Sequence, residues 1–100
     1  MATVSKVLAR TAASTSSTTL YTTPTGSTAV VTNIVIANPT TAAVTATVSL
    51  DAVTLVPAVS IAANSVFAFD LKQVLPDGDI LAGFASSTSV TFHISGVEIA

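Results

Sequence analysis

Polar and apolar residues alternate along most of this chain with a period of two, and β-branched side chains are spread throughout. The clearest run sets Val44, Ala46, Val48 and Leu50 on one face against Thr45, Thr47, Ser49 and Asp51 on the other. A second sets Val90, Phe92 and Ile94 against Thr91, His93 and Ser95. There the parity flips at Gly96, so that Val97 and Ile99 flank an outward Glu98, and a β-bulge is expected at the glycine. The segment 29–37 is apolar on both parities, with Val30, Ile34 and Ile36 on one and Val31 and Val35 on the other. That predicts a central strand covered on both faces, or one whose outer face meets another subunit. Further strands are predicted over 3–9, 18–22, 53–56, 65–71 and 80–85, with Phe67, Phe69, Leu71, Phe84 and Phe92 as the bulkiest core anchors. Residues 71–75 have room for one helical turn, and no longer helix fits.

Turn-forming residues fall between these runs: Pro24 and Gly26, Asn38-Pro39, the stretch 62–64, and Pro76-Asp77-Gly78-Asp79. About eight short strands at roughly ten-residue spacing predict an all-β fold, an antiparallel β-sandwich or jelly roll. Residues 11–19 are nearly all Ser, Thr and Ala, which reads as a loop or linker. The expected organisation is an N-terminal strand or arm with a Ser/Thr-rich linker over 1–16, then a β-sandwich domain over 17–100. Two pairings are open for residues 3–10: within their own sandwich, or added to a neighbour's sheet. In the second case Val4, Val7 and Leu8 supply the contacts while Lys6 and Arg10 meet acidic residues, and deleting residues 1–10 abolishes docking but leaves the sandwich folded. Val31 and Val35 are the candidate contacts on the central strand.

Composition turns this pattern into a question about partners. Half of the 100 residues are hydrophobic and only 8% are charged, against roughly a quarter charged in an ordinary soluble domain; the mean hydropathy is +0.78. A domain of this size buries roughly 60 to 65% of the surface of its unfolded chain, so part of the apolar half faces water or a partner. Thr serves as the compromise, its methyl suiting a pleated surface while its hydroxyl stays wet. The chain therefore reads as one part of a larger assembly, a homo-oligomer.

Charge excludes other classes. A net charge of −2, with Lys6, Arg10 and Lys72 as the only basic residues, provides no footprint for nucleic acid or for an anionic membrane surface. No apolar run is long enough to span a bilayer as a helix. There is no cysteine, and Lys6 and Arg10 interrupt the place of a signal peptide's apolar core, so synthesis in the cytoplasm is expected.

Candidate chemistry is sparse. His93 is the sole histidine, on an outward strand position, and no local motif supplies it with a nucleophile. Asp77-Gly78-Asp79 lacks the ligand run and distal Glu of a calcium loop and reads as a turn. The four glycines are scattered, so no phosphate loop is built. Thr45 and Thr47 form one Thr-x-Thr pair without the repeat that ice binding needs. Tyr21 alone offers an aromatic platform for a glycan. No enzyme, cofactor or metal site is expected.

The stretch Leu20-Tyr21-Thr22-Thr23-Pro24-Thr25-Gly26, followed by Thr28-Ala29-Val30-Val31-Thr32-Asn33-Ile34 and closed by Ile94-Ser95-Gly96-Val97-Glu98-Ile99, resembles small structural proteins of tailed bacteriophages. The likeness spans residues 18–99. Thr23 stands where Val is common in that family and Thr25 where Ala is common, while Pro24 and Gly26 keep the turn. The resemblance implies a β-sandwich carried on the virion, on the head or the tail, with no catalytic residues. It makes a capsid decoration protein bound to the major capsid protein or other virion proteins the first expectation, with trimers on local threefold axes as one form. The alternatives are a tail or fibre component, or a glycan-binding module for host recognition.

Overall fold

The alternation becomes eight strands: β1 (Thr3–Ala12), β2 (Thr18–Thr22), β3 (Thr28–Asn38), β4 (Val44–Leu50), β5 (Val53–Ile61), β6 (Ser65–Leu75), β7 (Ile80–Ala85) and β8 (Thr91–Ile99). The computed structural model describes residues 3–100; Met1 and Ala2, which open the expected 1–16 segment, lie outside the described residues. Among the described residues there is no helix. The helical turn expected at 71–75 is instead the end of β6, where Gln73, Val74 and Leu75 pair with Val31, Val30 and Ala29.

All pairings are antiparallel and form two four-stranded sheets, β1-β8-β3-β6 and β2-β7-β4-β5. Every connection crosses from one sheet to the other except the β4–β5 hairpin. This is the strand order of a jelly roll, a β-sandwich built from two Greek keys. The hairpin turns on two residues, Asp51 and Ala52, both at positive φ (50° and 66°). That is the type I′ geometry matching the twist of the flanking strands.

The core lies between the sheets. Leu8, Ala9, Val31, Ile34, Ile36, Phe92 and Ile94 come from the first sheet, and Val44, Ala46, Val48, Leu81 and Ala85 from the second. Of the predicted aromatic anchors, Phe92 is fully buried. Phe67 and Phe69 are half-buried on edge strand β6, their rings 5.3 Å apart. Phe84 is corrected outright: Leu81, Gly83 and Ala85 take the inward positions of β7, which leaves Phe84 half-buried on the outer face. Gly83 makes room, since a Cβ there would lie 3.1 Å from Leu20 Cδ1 and 3.3 Å from the Phe92 ring.

The irregularity expected at Gly96 sits on the neighbouring strands. Leu8 is an extra residue in β1 and Thr32 an extra residue in β3, while β8 keeps its alternation through Phe92, Ile94 and Gly96. Gly96 is buried, and a Cβ on it would strike the Val30 carbonyl oxygen and lie 2.9 Å from Leu8 Cδ1. Glu98 thus falls on the inward parity, not the outward one. In β3 the extra residue reverses the parity, so Val31 turns into the core while Val35 turns out. One strand can therefore be apolar on both parities, and nothing among the described residues covers its outer side.

Residues 3–12 pair with β8 inside the chain's own sheet. Leu8 and Ala9 join the core, and Ala13 is buried, its N–H donating to the Val90 carbonyl at 2.7 Å. The expected 11–19 loop therefore shrinks to 13–17. Truncation of residues 1–10 removes most of an edge strand and two core side chains, so the expectation that the sandwich survives it is withdrawn.

Candidate interaction surface

The molecule is drawn out along its strands, with extents of 45 × 21 × 18 Å. Its two ends differ in charge. One carries the turns at 23–27, 51–52 and 76–79 with Asp51, Asp77 and Asp79; there Asp77 Oδ2 accepts the Gly26 N–H at 2.7 Å. The calcium-like Asp77-Gly78-Asp79 is thus a turn, with Gly78 at φ 81° and Asp79 N–H donating to Pro76 O. The opposite end consists of the connections 13–17, 39–43, 62–64 and 86–90, none of which holds a charged residue.

That uncharged end is organised by Asn38, which is buried at 1% exposure. Its amide donates to the carbonyls of Ala42, Ile61 and Ala62 at 2.9, 3.1 and 3.0 Å. Its Oδ1 accepts the Thr40 N–H at 3.0 Å and the Thr40 hydroxyl at 2.6 Å. Buried polar groups must find partners, and here one side chain fastens the β3–β4 connection to the β5–β6 corner. The sequence suggested only that Asn38-Pro39 ends a strand.

A second polar cluster closes the long side. Lys6 Nζ donates to Glu98 Oε2 at 3.0 Å, and Tyr21 Oη donates to the same oxygen at 2.5 Å. The register slips at Leu20, which turns Tyr21 as well as Leu20 toward the interior. Burial first, then the Glu98 hydrogen bond and charge, push the Tyr21 phenol up to about 12. The Tyr21 and Lys6 hydrogen bonds hold the Glu98 carboxyl below its ordinary range. Tyr21 is therefore committed to an internal contact and is a poor stacking platform for a sugar.

The seven residues singled out from sequence do not form one patch. Val4 and Val7 are exposed on edge strand β1, Arg10 is exposed, and Val35 is half-buried on the outer face. Lys6 is engaged with Glu98. Leu8 and Val31, at 5% and 0% exposure, belong to the core and present no surface. What sequence reasoning missed is the open side between edge strands β5 and β6. There Leu50, Val53, Leu55 and Val74, together with the acidic Asp51 and Asp79, line a shallow groove of about 230 Å³. Val53 and Val74 stand out in solvent, at 69% and 60% exposure. Single exposed valines are unremarkable in sequence; the sandwich topology brings these two together.

The two outer sheet faces also differ. On the second sheet, Thr45, Thr47 and Ser49 of β4, Ala82 and Phe84 of β7 and Thr19 of β2 make a face without charge. On the first sheet the two central strands are neutral or apolar, and the charges stand on the edges. His93 lies on that face, its Nε2 3.3 Å from the Thr91 hydroxyl. Among the described residues no three His, Cys, Asp or Glu side chains cluster as metal ligands, and no helix is long and apolar enough to cross a membrane.

No protein-family model matches the chain, and no curated protein matches it. Solved structures that align with the chain include one of a virus and two of a phage capsid protein. The structure of the infectious bursal disease virus Gx strain aligns over 97% of this chain and 31% of that one, at 15% identity and a TM-score of 0.47. A pentameric capsid protein isolated from metagenomic phage sequences aligns in two structures over 97% of this chain, at 20% identity. Those alignments cover 61% and 60% of that protein, with TM-scores of 0.36 and 0.37. The chain thus spans less than two thirds of each. Likenesses this loose carry no argument about function, which rests on the surface itself.

Proposed function

We propose that this chain is an accessory structural protein of a bacteriophage virion, a capsid decoration protein that binds and stabilises the head shell and has no catalytic role. The observation that carries the reading is the surface. Six large hydrophobic side chains (Val4, Val7, Val53, Val66, Val74 and Ile80) stand exposed on a protein with three basic and five acidic residues in all. Such a surface suits a protein whose faces are covered by neighbours, because solubility then belongs to the particle. The resemblance of residues 18–99 to tailed-phage structural proteins supports the same reading. The jelly-roll order is common to capsid and lectin domains, so fold does not choose between them. The inward Tyr21 disfavours the lectin.

In this reading the uncharged outer face of the second sheet and the open β5–β6 side pack against the shell, and exposed Val4 and Val7 border the free edge of β1. Packing and strand pairing do the work, and binding stabilises the shell by mass action. The test adds purified chain to particles of its phage that lack it, followed by sedimentation. Co-sedimentation with heads, saturating at a fixed ratio to the shell subunit and weakened by Thr47→Lys, is the expected result. Binding to tails alone would move the protein there, and no binding to either would overturn the virion role.

A further inference from the structure

We propose that two copies of this chain pair face to face through the outer surface of the β1-β8-β3-β6 sheet, about a two-fold axis running along the strands, with Arg10 of each copy meeting Asp70 of the other. The pairing does not rest on the virion role.

The register lays this surface out in rows. Arg10, His93, Val35 and Ala68 lie side by side across the four strands, and Val7, Ser95, Asn33 and Asp70 form the next row. Ala12, Thr91, Ala37 and Val66 flank the first row, and Val97, Val30 and Val74 run across β8, β3 and β6 beyond the second. The centre is made of short, mostly apolar side chains, with His93 its one titratable group, so a second sheet can approach to the usual spacing of about 10 Å. Nothing among the described residues covers this face, and Val66 and Val74 are among its most exposed side chains.

Charge then selects the partner and the orientation. Arg10 stands on one edge strand, and Asp70 and Lys72 on the opposite edge strand; all three are exposed. Asn33 Nδ2 donates to Asp70 Oδ1 at 3.0 Å and holds that carboxylate over the face. An in-plane two-fold along the strands lays β1 of one copy over β6 of the other. Arg10 then stands one row from Asp70, about 7 Å along the strand, within reach of its side chain. Lys72 lies a further two residues away, so Asp70 is the nearer charge. The two-fold generates this contact twice, as an isologous interface requires. An in-plane axis across the strands would stack β1 on β1 and β6 on β6, leaving Arg10 without its carboxylate.

Area supports the same occupant. The two larger extents of the molecule, 45 and 21 Å, bound an outline on the order of 900 Å², against about 800 Å² per partner in a standard interface. The outer face of the second sheet has no charges to fix such an orientation.

The test is the mass of the purified chain in solution, by light scattering and sedimentation over a concentration series, for wild type, Arg10→Glu, Asp70→Arg and the double swap. The expected wild-type mass is twice the 10.0 kDa chain. Each single swap sets like charges against each other and weakens association at least about tenfold, while the double swap restores it to within about threefold. Circular dichroism confirms that the variants fold. If Asp70→Arg is lost with its Asn33 contact, Val35→Lys on the central strand is read instead and also gives monomers. A wild-type monomer, a trimer or pentamer, dimers indifferent to the single swaps, or a folded double swap that stays monomeric each overturns the pairing. None of these outcomes bears on whether the chain is found in virions.

Discussion

Replacing Asn38 by Ala removes the amide that fastens the uncharged end of the sandwich. Two hydrogens shared among the carbonyls of Ala42, Ile61 and Ala62 are lost, together with the acceptor for both Thr40 donors. Each net hydrogen bond is worth about 0.5–1.5 kcal/mol, and a buried group left unpaired costs about 1–3 kcal/mol. Some of the freed groups reach water, so the expected loss is about 3 kcal/mol, a large share of a typical domain's stability of about 5–15 kcal/mol. For a domain of this size that lowers Tm by roughly 12–24 °C. Asn38→Asp separates the two halves of the network. It keeps the acceptor for Thr40 but turns a carboxylate on three carbonyl oxygens, so it is expected to cost at least as much as Ala. Thermal and denaturant unfolding followed by circular dichroism read both variants. A fall in Tm under about 4 °C for Asn38→Ala, roughly 1 kcal/mol, would refute the assignment of Asn38 as the organiser of this end.

Tyr21 is the only tyrosine and there is no tryptophan, so tyrosinate absorbance reports this residue alone; its midpoint is expected at about 12, and it falls in Glu98→Gln but stays above the ordinary phenol value because burial, the larger cause, remains. Because the folded value lies above the unfolded one, the stability this phenol contributes is present below pH 10 and is lost as pH rises from 10 toward 12; a midpoint of 10 in the wild type would contradict the contact. Glu98 has the opposite sign: its folded value is lowered, so its contribution is present above the ordinary carboxyl range and lost as pH falls through the folded value, a loss that acid unfolding should find missing in Glu98→Gln. Gly96→Ala drives a methyl into the Val30 carbonyl and the Leu8 side chain and is expected to cost about 3 kcal/mol or prevent folding; a wild-type Tm would show that β8 and β3 do not approach as described. Ala52→Gly relieves a left-handed alanine costing about 1–2 kcal/mol, offset by about 0.4–1 kcal/mol of unfolded-state entropy, for a net gain of about 0.5–1 kcal/mol in denaturant melts.

The strands were legible because one face of each is buried, which imposes the alternation seen in Val44, Ala46 and Val48 and in Phe92 and Ile94. Bulges were not, because an extra residue is defined by what the partner strand does. Gly96 looked like the irregular position, yet Leu8 and Thr32 are the inserted residues and Gly96 is the close approach they surround. That displacement sent Glu98 inward and separated Val31 from Val35, which is why half of the expected central-strand contact lies in the core. Phe84 departs from its sequence pattern for a related reason: a phenylalanine reads as core, but Gly83 holds the inward place because the Phe92 ring needs the space. The β5–β6 groove and the opposed edge charges Arg10 and Asp70 depend on which strands lie at the edges. Local sequence does not carry that information.

The most direct test of the proposed virion role is the copy number of this chain in purified phage particles, by quantitative mass spectrometry against the major capsid protein. A decoration role requires hundreds of copies in a simple ratio to the shell subunit. Absence from the particle would contradict it.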